Sequence, residues 1–167
     1  MHAAIALLTI FAVWRWSDWK NWRRYHPSML FIATGGLLYE FITSDQTMWR
    51  FHPDFLYNHT VTVIIYAVLT MPLTVLLYLD HYPETETIGK KIRYICLWIG
   101  IYIAVETILL LTGRISYEHG WNLFYSLLFD MMMFPMIRLH HTRPLLAYVI
   151  SIPIVVVLTR LFEIKLD

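Results

Sequence analysis

Two carboxylates stand where hydrocarbon should surround them. Glu106 lies midway along the apolar run Tyr94–Thr112, and Asp130 midway along the apolar run Trp121–Ile137. An ionisable group at such a depth costs a few kcal/mol at least, so it signals a function by default. No lysine or arginine lies deep enough in the apolar runs to pair easily with either acid. Each must therefore be carried protonated, or be neutralised by a cation, a metal or a ligand amine. The short loop Gly113–Gly120 joins the two runs and makes them antiparallel neighbours. Glu106 is then about six residues, and Asp130 about nine, from their shared end. At 1.5 Å per residue the two depths differ by about 5 Å, which lets the acids face one another. A third acid, Glu40, lies one turn from the end of the run Ser28–Thr43.

Helical spacing gives these acids company. Asn122, Ser126 and Asp130 are four residues apart and share one helix face. Tyr94, Trp98, Tyr102 and Glu106 form a similar stripe, and so do Thr62, Tyr66, Thr70 and Thr74. Each stripe suits the wall of a polar cavity. For the threonines and tyrosines, interhelical hydrogen bonding, at about 0.6 kcal/mol per contact, is the simpler account. For the acids a ligand is the better one. The candidate ligand- or cation-binding set is therefore Glu106, Asp130, Glu40, Asn122, Ser126 and Tyr102.

Histidines beside carboxylates add a second chemistry. The segment WRFHPDFLYNHT carries His52, Asp54, Asn58 and His59, and SYEHGWN carries Glu118 and His119. Histidine with carboxylate is a ligand set for zinc and other divalent metals, which makes His59, His119 and Asp54 metal-ligand candidates. Their spacing matches no specific metal motif, and interfacial anchoring explains them more simply. Met131, Met132, Met133 and Met136 suggest copper(I) ligands, but three consecutive residues point to three helix faces, so adaptable packing fits better. Arg138, His140, His141 and Arg143 form a basic cluster suited to anionic lipid headgroups. Asn58-His59-Thr60 reads as a glycosylation acceptor, although it abuts a span. Serine-nucleophile motifs, a phosphate-binding glycine loop and a dinucleotide fingerprint are absent. The single cysteine, Cys96, allows neither an intrachain disulfide nor a cysteine-rich zinc site. A net charge of +1 gives no reason to expect nucleic-acid binding.

The elements that must position these residues follow from composition. Apolar residues make up 58% of the 167 residues and charged residues 15%, against roughly 45–50% and about 25% in soluble domains. Mean hydropathy is +0.54. A soluble domain, a disordered chain and a coiled coil are excluded. The expectation is an all-α, polytopic transmembrane bundle of about six spans in one integral membrane domain, residues 1–167. The spans are placed near 3–16, 28–43, 60–79, 94–112, 121–137 and 145–161. The first is short for a membrane core of roughly 30 Å. It lacks a basic start and a cleavage site, and its first arginine, Arg15, follows the apolar stretch, so a span is expected rather than a signal peptide.

Loop charge sets the orientation. Arg15, Lys20, Arg23, Arg24, Lys90, Lys91, Arg93, Arg138 and Arg143 fall on one side, and Arg50, Arg114, Arg160 and Lys165 on the other. The positive-inside rule makes the first group cytoplasmic and puts both termini outside. Pro72 and Pro135 within spans read as packing kinks.

The segments WRFHPDFLYNHT, GWNLFYSLLFD and FPMIRLHHTRPLLAY, with the opening WRWSDWKNWRRYHP, resemble an uncharacterised family of small polytopic membrane proteins from spore-forming Firmicutes. The likeness covers most of the chain. It implies a bacterial plasma membrane and the same span layout, but no activity, cofactor or catalytic residue. The functional expectation is a small cation-, proton- or polar-solute-binding protein, transporter-like or accessory, with an outward-facing acidic cavity. Two alternatives stand beside it. One is a membrane-embedded metal-dependent hydrolase. The other is a structural subunit whose acids meet an arginine of another protein.

Overall fold

The computed structural model describes residues 1–52 and 58–164. Asp54 and Lys165 lie outside the described residues. Among the described residues six helices and one small ribbon form the architecture. Helix α1 is His2–Trp16, and a 3-10 segment, Trp19–Arg24, leads into α2, His26–Ile42. Strand β1, Trp49–Phe51, precedes the 22-residue helix α3, His59–Asp80. Helix α4, Ile88–Leu111, is followed by strand β2, Ile115–Tyr117. Helices α5, Leu123–Thr142, and α6, Pro144–Leu161, complete the described chain.

The expected all-helical class is what the chain adopts. Among the described residues three helices, α3, α4 and α6, are long and apolar enough to cross a membrane, and α1 is a shorter apolar helix. Large apolar side chains stand on the outside. Ile92, Leu97 and Ile101 of α4 and Leu145, Val149, Ile152 and Val156 of α6 are all exposed. Such outer faces are compatible with membrane insertion.

Local chemistry explains where the elements begin and bend. Asn58 caps α3, its Oδ1 accepting from the Val61 N–H at 2.9 Å, and Asn122 caps α5 in the same way. Helix α3 widens into a π segment over Ile65–Thr70, where the Met71 N–H bonds the Tyr66 carbonyl five residues back. Pro72 follows at once. It has no N–H to give, and its ring would press on the carbonyl four residues back in a regular α-helix; the wider turn relieves that conflict.

The helices pack in the order α1–α3–α2–α5, with α4 and α6 both against α5. Their shared core holds Val75, Leu76, Tyr78 and Leu79 of α3, Trp98 and Ile99 of α4, and Met133, Phe134 and Ile137 of α5. Between apolar helices in lipid, such packing stabilises through close contact rather than through exclusion of water. Gly36 of α2 lets α3 approach closely: a Cβ built there would sit 3.3 Å from the Cβ of Ala67.

The ribbon was not expected from the sequence. Strands β1 and β2 pair antiparallel, Trp49 with Tyr117, Arg50 with Ser116 and Phe51 with Ile115. Alternation turns Trp49 and Phe51 towards the bundle and leaves Arg50 exposed. Arg50 grips Glu118 with two hydrogen bonds. At the opposite end of the bundle, Asp80 ties down the 3-10 segment by accepting from the Asp18 N–H at 2.9 Å and the Tyr25 hydroxyl at 3.0 Å.

Candidate functional site: a buried acid pair beneath an aromatic cap

The three polar stripes meet inside the bundle. Tyr94 of α4 stacks on Tyr78 of α3, and its hydroxyl donates to the Tyr78 carbonyl at 2.8 Å. Further along α4, Tyr102 packs edge-on against Phe134 of α5 at 5.0 Å. One turn beyond, Glu106 meets Ser126 of α5.

Glu106 collects donors from three directions onto a single oxygen. Its Oε1 accepts from the Trp49 indole N–H at 2.9 Å, the Tyr117 hydroxyl at 2.8 Å and the Ser126 hydroxyl at 2.7 Å. Trp49 and Tyr117 are the cross-strand pair of the ribbon. The ribbon register therefore delivers two of the three donors. Ser126 in turn accepts from the Trp121 indole N–H at 2.9 Å. All three partners of Glu106 give hydrogens and none takes one, which is the environment an ionised carboxylate needs. Burial pushes the Tyr117 hydroxyl above its usual range and keeps it a donor.

Asp130 is served differently. It is 5% exposed, and its Oδ2 has no hydrogen-bond partner. It lies one turn along α5 from Ser126, the residue whose hydroxyl bonds Glu106. On α3, the Thr74 hydroxyl bonds back to the Thr70 carbonyl at 2.6 Å. Thr70, one turn from Thr74, is likewise buried, and its Oγ1 is unpartnered.

A packed aromatic layer covers this core at the ribbon end. Trp49 lies 4.3 Å from Trp121, and Trp121 lies 4.9 Å from Phe162, centroid to centroid; Tyr39 packs edge-on against Trp49. Trp121 is 5% exposed. The sequence led us to expect an open cavity floored by the acids. A cavity of about 340 Å³ lies to one side, lined by Gln46, His119, Gly120, Tyr125, Phe162 and Glu163, and Glu106, Asp130 and Glu40 are not in its lining.

The remaining candidates take other places. Asn122 shares no wall with Ser126 and Asp130. It stands outside the helix with extended backbone, and its Oδ1 accepts from the N–H groups of Phe124 and Tyr125. Periodicity alone ran the stripe one step too far. Glu40 is not beside Glu106 but pairs with His59, Nε2 to Oε1, at 3.1 Å. The other ring nitrogen of His59 accepts from the Phe51 N–H at 3.2 Å. Nε2 must then carry the hydrogen, so neither nitrogen presents a free lone pair. His119 occupies a turn with a left-handed backbone, φ 52°. Asp54 lies outside the described residues. Among the described residues no three histidine, cysteine or acidic side chains converge to hold a metal ion.

The four residues of the basic cluster have different settings. Arg138 pairs with Glu84 and lies over the Tyr82 ring. His140 is 3% exposed, bonds the Ser28 hydroxyl at 3.0 Å and stacks on Phe31 at 4.3 Å. Burial lowers its pKa below the ordinary 6.5. His141 stacks on Tyr25, and Arg143 alone of the four is fully exposed.

Four residues central to the core escaped the sequence reading as site members. Trp49, Tyr117 and Trp121 carry no signal of their own in the sequence, and Thr70 reads there as one of a stripe of interhelical hydrogen-bonding groups. A three-residue strand opposite another gives no periodic signal long enough to detect. His2 was missed too: it is fully buried, bonding the Tyr66 hydroxyl at 3.1 Å and the His52 carbonyl at 3.2 Å. No family model, curated protein or solved structure matches the chain.

Proposed function

We propose that this chain is a six-span membrane protein that binds a proton or a small cation at the Glu106–Asp130 pair. It would work as a small transporter-like or accessory protein of a bacterial plasma membrane, with both termini outside. The observation that carries the reading is the contrast within the pair. Glu106 is surrounded by donors, whereas Asp130, one turn along α5 from the Ser126 that bonds Glu106, keeps a buried oxygen with no partner. A buried acid left in that condition is expensive, and a bound positive charge removes the expense. The sorting of nine of the thirteen basic residues to one set of loops supports the span layout.

The test uses purified protein reconstituted in lipid nanodiscs, with a dye reporting protons taken up or released as pH is stepped and as alkali or alkaline-earth salts are added. Wild-type protein should show a saturable proton- or cation-linked signal. Asp130→Asn, nearly isosteric, should express and fold normally and lose that signal. An Asp130→Asn protein that fails to fold would make Asp130 a structural acid and end the proposal. So would an undiminished signal.

A further inference from the structure

The register of the three central helices identifies more of the site. Tyr94 and Tyr78 are in contact through a ring stack and a hydrogen bond. Two turns from each, along antiparallel α4 and α3, lead to Tyr102 and Thr70. Glu106 and Ser126 are hydrogen-bonded. One turn from each, along antiparallel α4 and α5, leads to Tyr102 and Asp130. Thr70, Tyr102 and Asp130 therefore stand at one level of the bundle, each on a different helix.

Two of these three side chains carry a fault that neighbouring protein does not mend. Thr70 is 6% and Asp130 5% exposed, yet Thr70 Oγ1 and Asp130 Oδ2 have no hydrogen-bond partner. Buried polar atoms are nearly always paired, so two orphans at one level call for a shared occupant. The chemistry of the groups narrows what it is. Every candidate atom is oxygen, which favours a hard cation over a soft one. Only one carboxylate is uncommitted, because Glu106 already takes three donors on Oε1. The Glu106 charge is met by those donors, so the charge left without any is that of Asp130, and one positive charge balances it.

We propose that Thr70, Tyr102 and Asp130 form a buried oxygen site for a single dehydrated monovalent cation, with sodium as the ion to test. The assignment rests on the reading of Glu106 and Asp130 as a cation- or proton-binding pair and adds the ligands and the class of ion. Asp130 Oδ2 supplies the charge, and the Thr70 and Tyr102 oxygens replace part of the hydration shell.

Equilibrium binding of radioactive sodium to the full chain in nanodiscs tests this, with choline holding ionic strength constant and circular dichroism monitoring the fold. One sodium should bind per chain. Thr70→Val preserves shape and removes only the unpaired hydroxyl, so it should fold as well as wild type and bind sodium at least tenfold more weakly. Thr70→Ser keeps the hydroxyl and should bind within a few-fold of wild type. Asp130→Asn should abolish binding. Saturable binding that ignores both Thr70→Val and Asp130→Asn would overturn the assignment. Absence of sodium binding alongside an Asp130-dependent proton signal would overturn the sodium site and leave the acid-pair reading intact. Absence of both would overturn the two together.

Discussion

Removing the Ser126 hydroxyl tests the geometry at its most connected point. Ser126 is 2% exposed, donates to Glu106 at 2.7 Å and accepts from Trp121 at 2.9 Å. Ser126→Ala deletes both bonds at once. A hydrogen bond to a charged group contributes about 1.5–3 kcal/mol, and a neutral one inside a membrane bundle about 0.6 kcal/mol. The expected loss is therefore about 2–4 kcal/mol. Trp121→Phe keeps most of the ring and removes the indole N–H, and should cost about 1 kcal/mol or less, since Ser126 still donates to Glu106. The two changes share a bond, so they must not add. In the Ser126→Ala background, Trp121→Phe should cost nothing further from hydrogen bonding, because its N–H is already orphaned. Reversible unfolding in bicelles, followed by circular dichroism, measures all four corners of the cycle. Additive losses, or a Ser126→Ala cost under about 0.5 kcal/mol, would refute the connected network of Trp121, Ser126 and Glu106.

Two further outcomes follow from packing and from charge. Gly36→Leu should destabilise the bundle by about 1–3 kcal/mol, because a side chain there must push α2 away from the Cβ of Ala67 at 3.3 Å; the same unfolding assay reads it. His140 is held neutral by burial, with its folded pKa below the ordinary 6.5. The unfolded chain then binds more protons than the folded one as pH falls, so the stability His140 contributes is present above about pH 6.5 and is lost on acidification towards the lowered folded value. Wild-type protein should lose stability between pH 7 and pH 5 more steeply than His140→Phe, and equal slopes would mean that His140 is not the group responsible.

Much of the core was legible from sequence because it rests on long periodic signals. Glu106 and Asp130 stand out against apolar runs, and the short loop between those runs forces their helices together. The tyrosine and threonine stripes are visible for the same reason, since four-residue spacing persists over three turns. What failed to show is what depends on contacts distant in sequence. Trp49 reaches Glu106 across 57 residues, through a strand of three residues that no periodicity marks. Asn122 illustrates a different limit. Periodicity placed it in the wall, whereas its position just ahead of an apolar helix is a capping signal, and capping decided its role. His59 and Glu40 were read separately, as metal ligand and cavity acid. Their pairing depends on where the Phe51 N–H points, which only the ribbon determines.

The wide turn at Ile65–Thr70 also constrains how this sequence can change. In a regular α-helix, four residues overshoot one turn by about 40°, so a column spaced by four drifts around the axis. A turn that consumes more residues cancels part of that drift and keeps Thr62, Tyr66 and Thr70 in one file above Thr74. The segment thus acts as a spacer whose residue count is itself fixed. Losing a single residue there would restore a regular helix and bring back the conflict between the Pro72 ring and the carbonyl four residues before it. Substitutions in this stretch should be far better tolerated than a deletion, however conservative the residue removed.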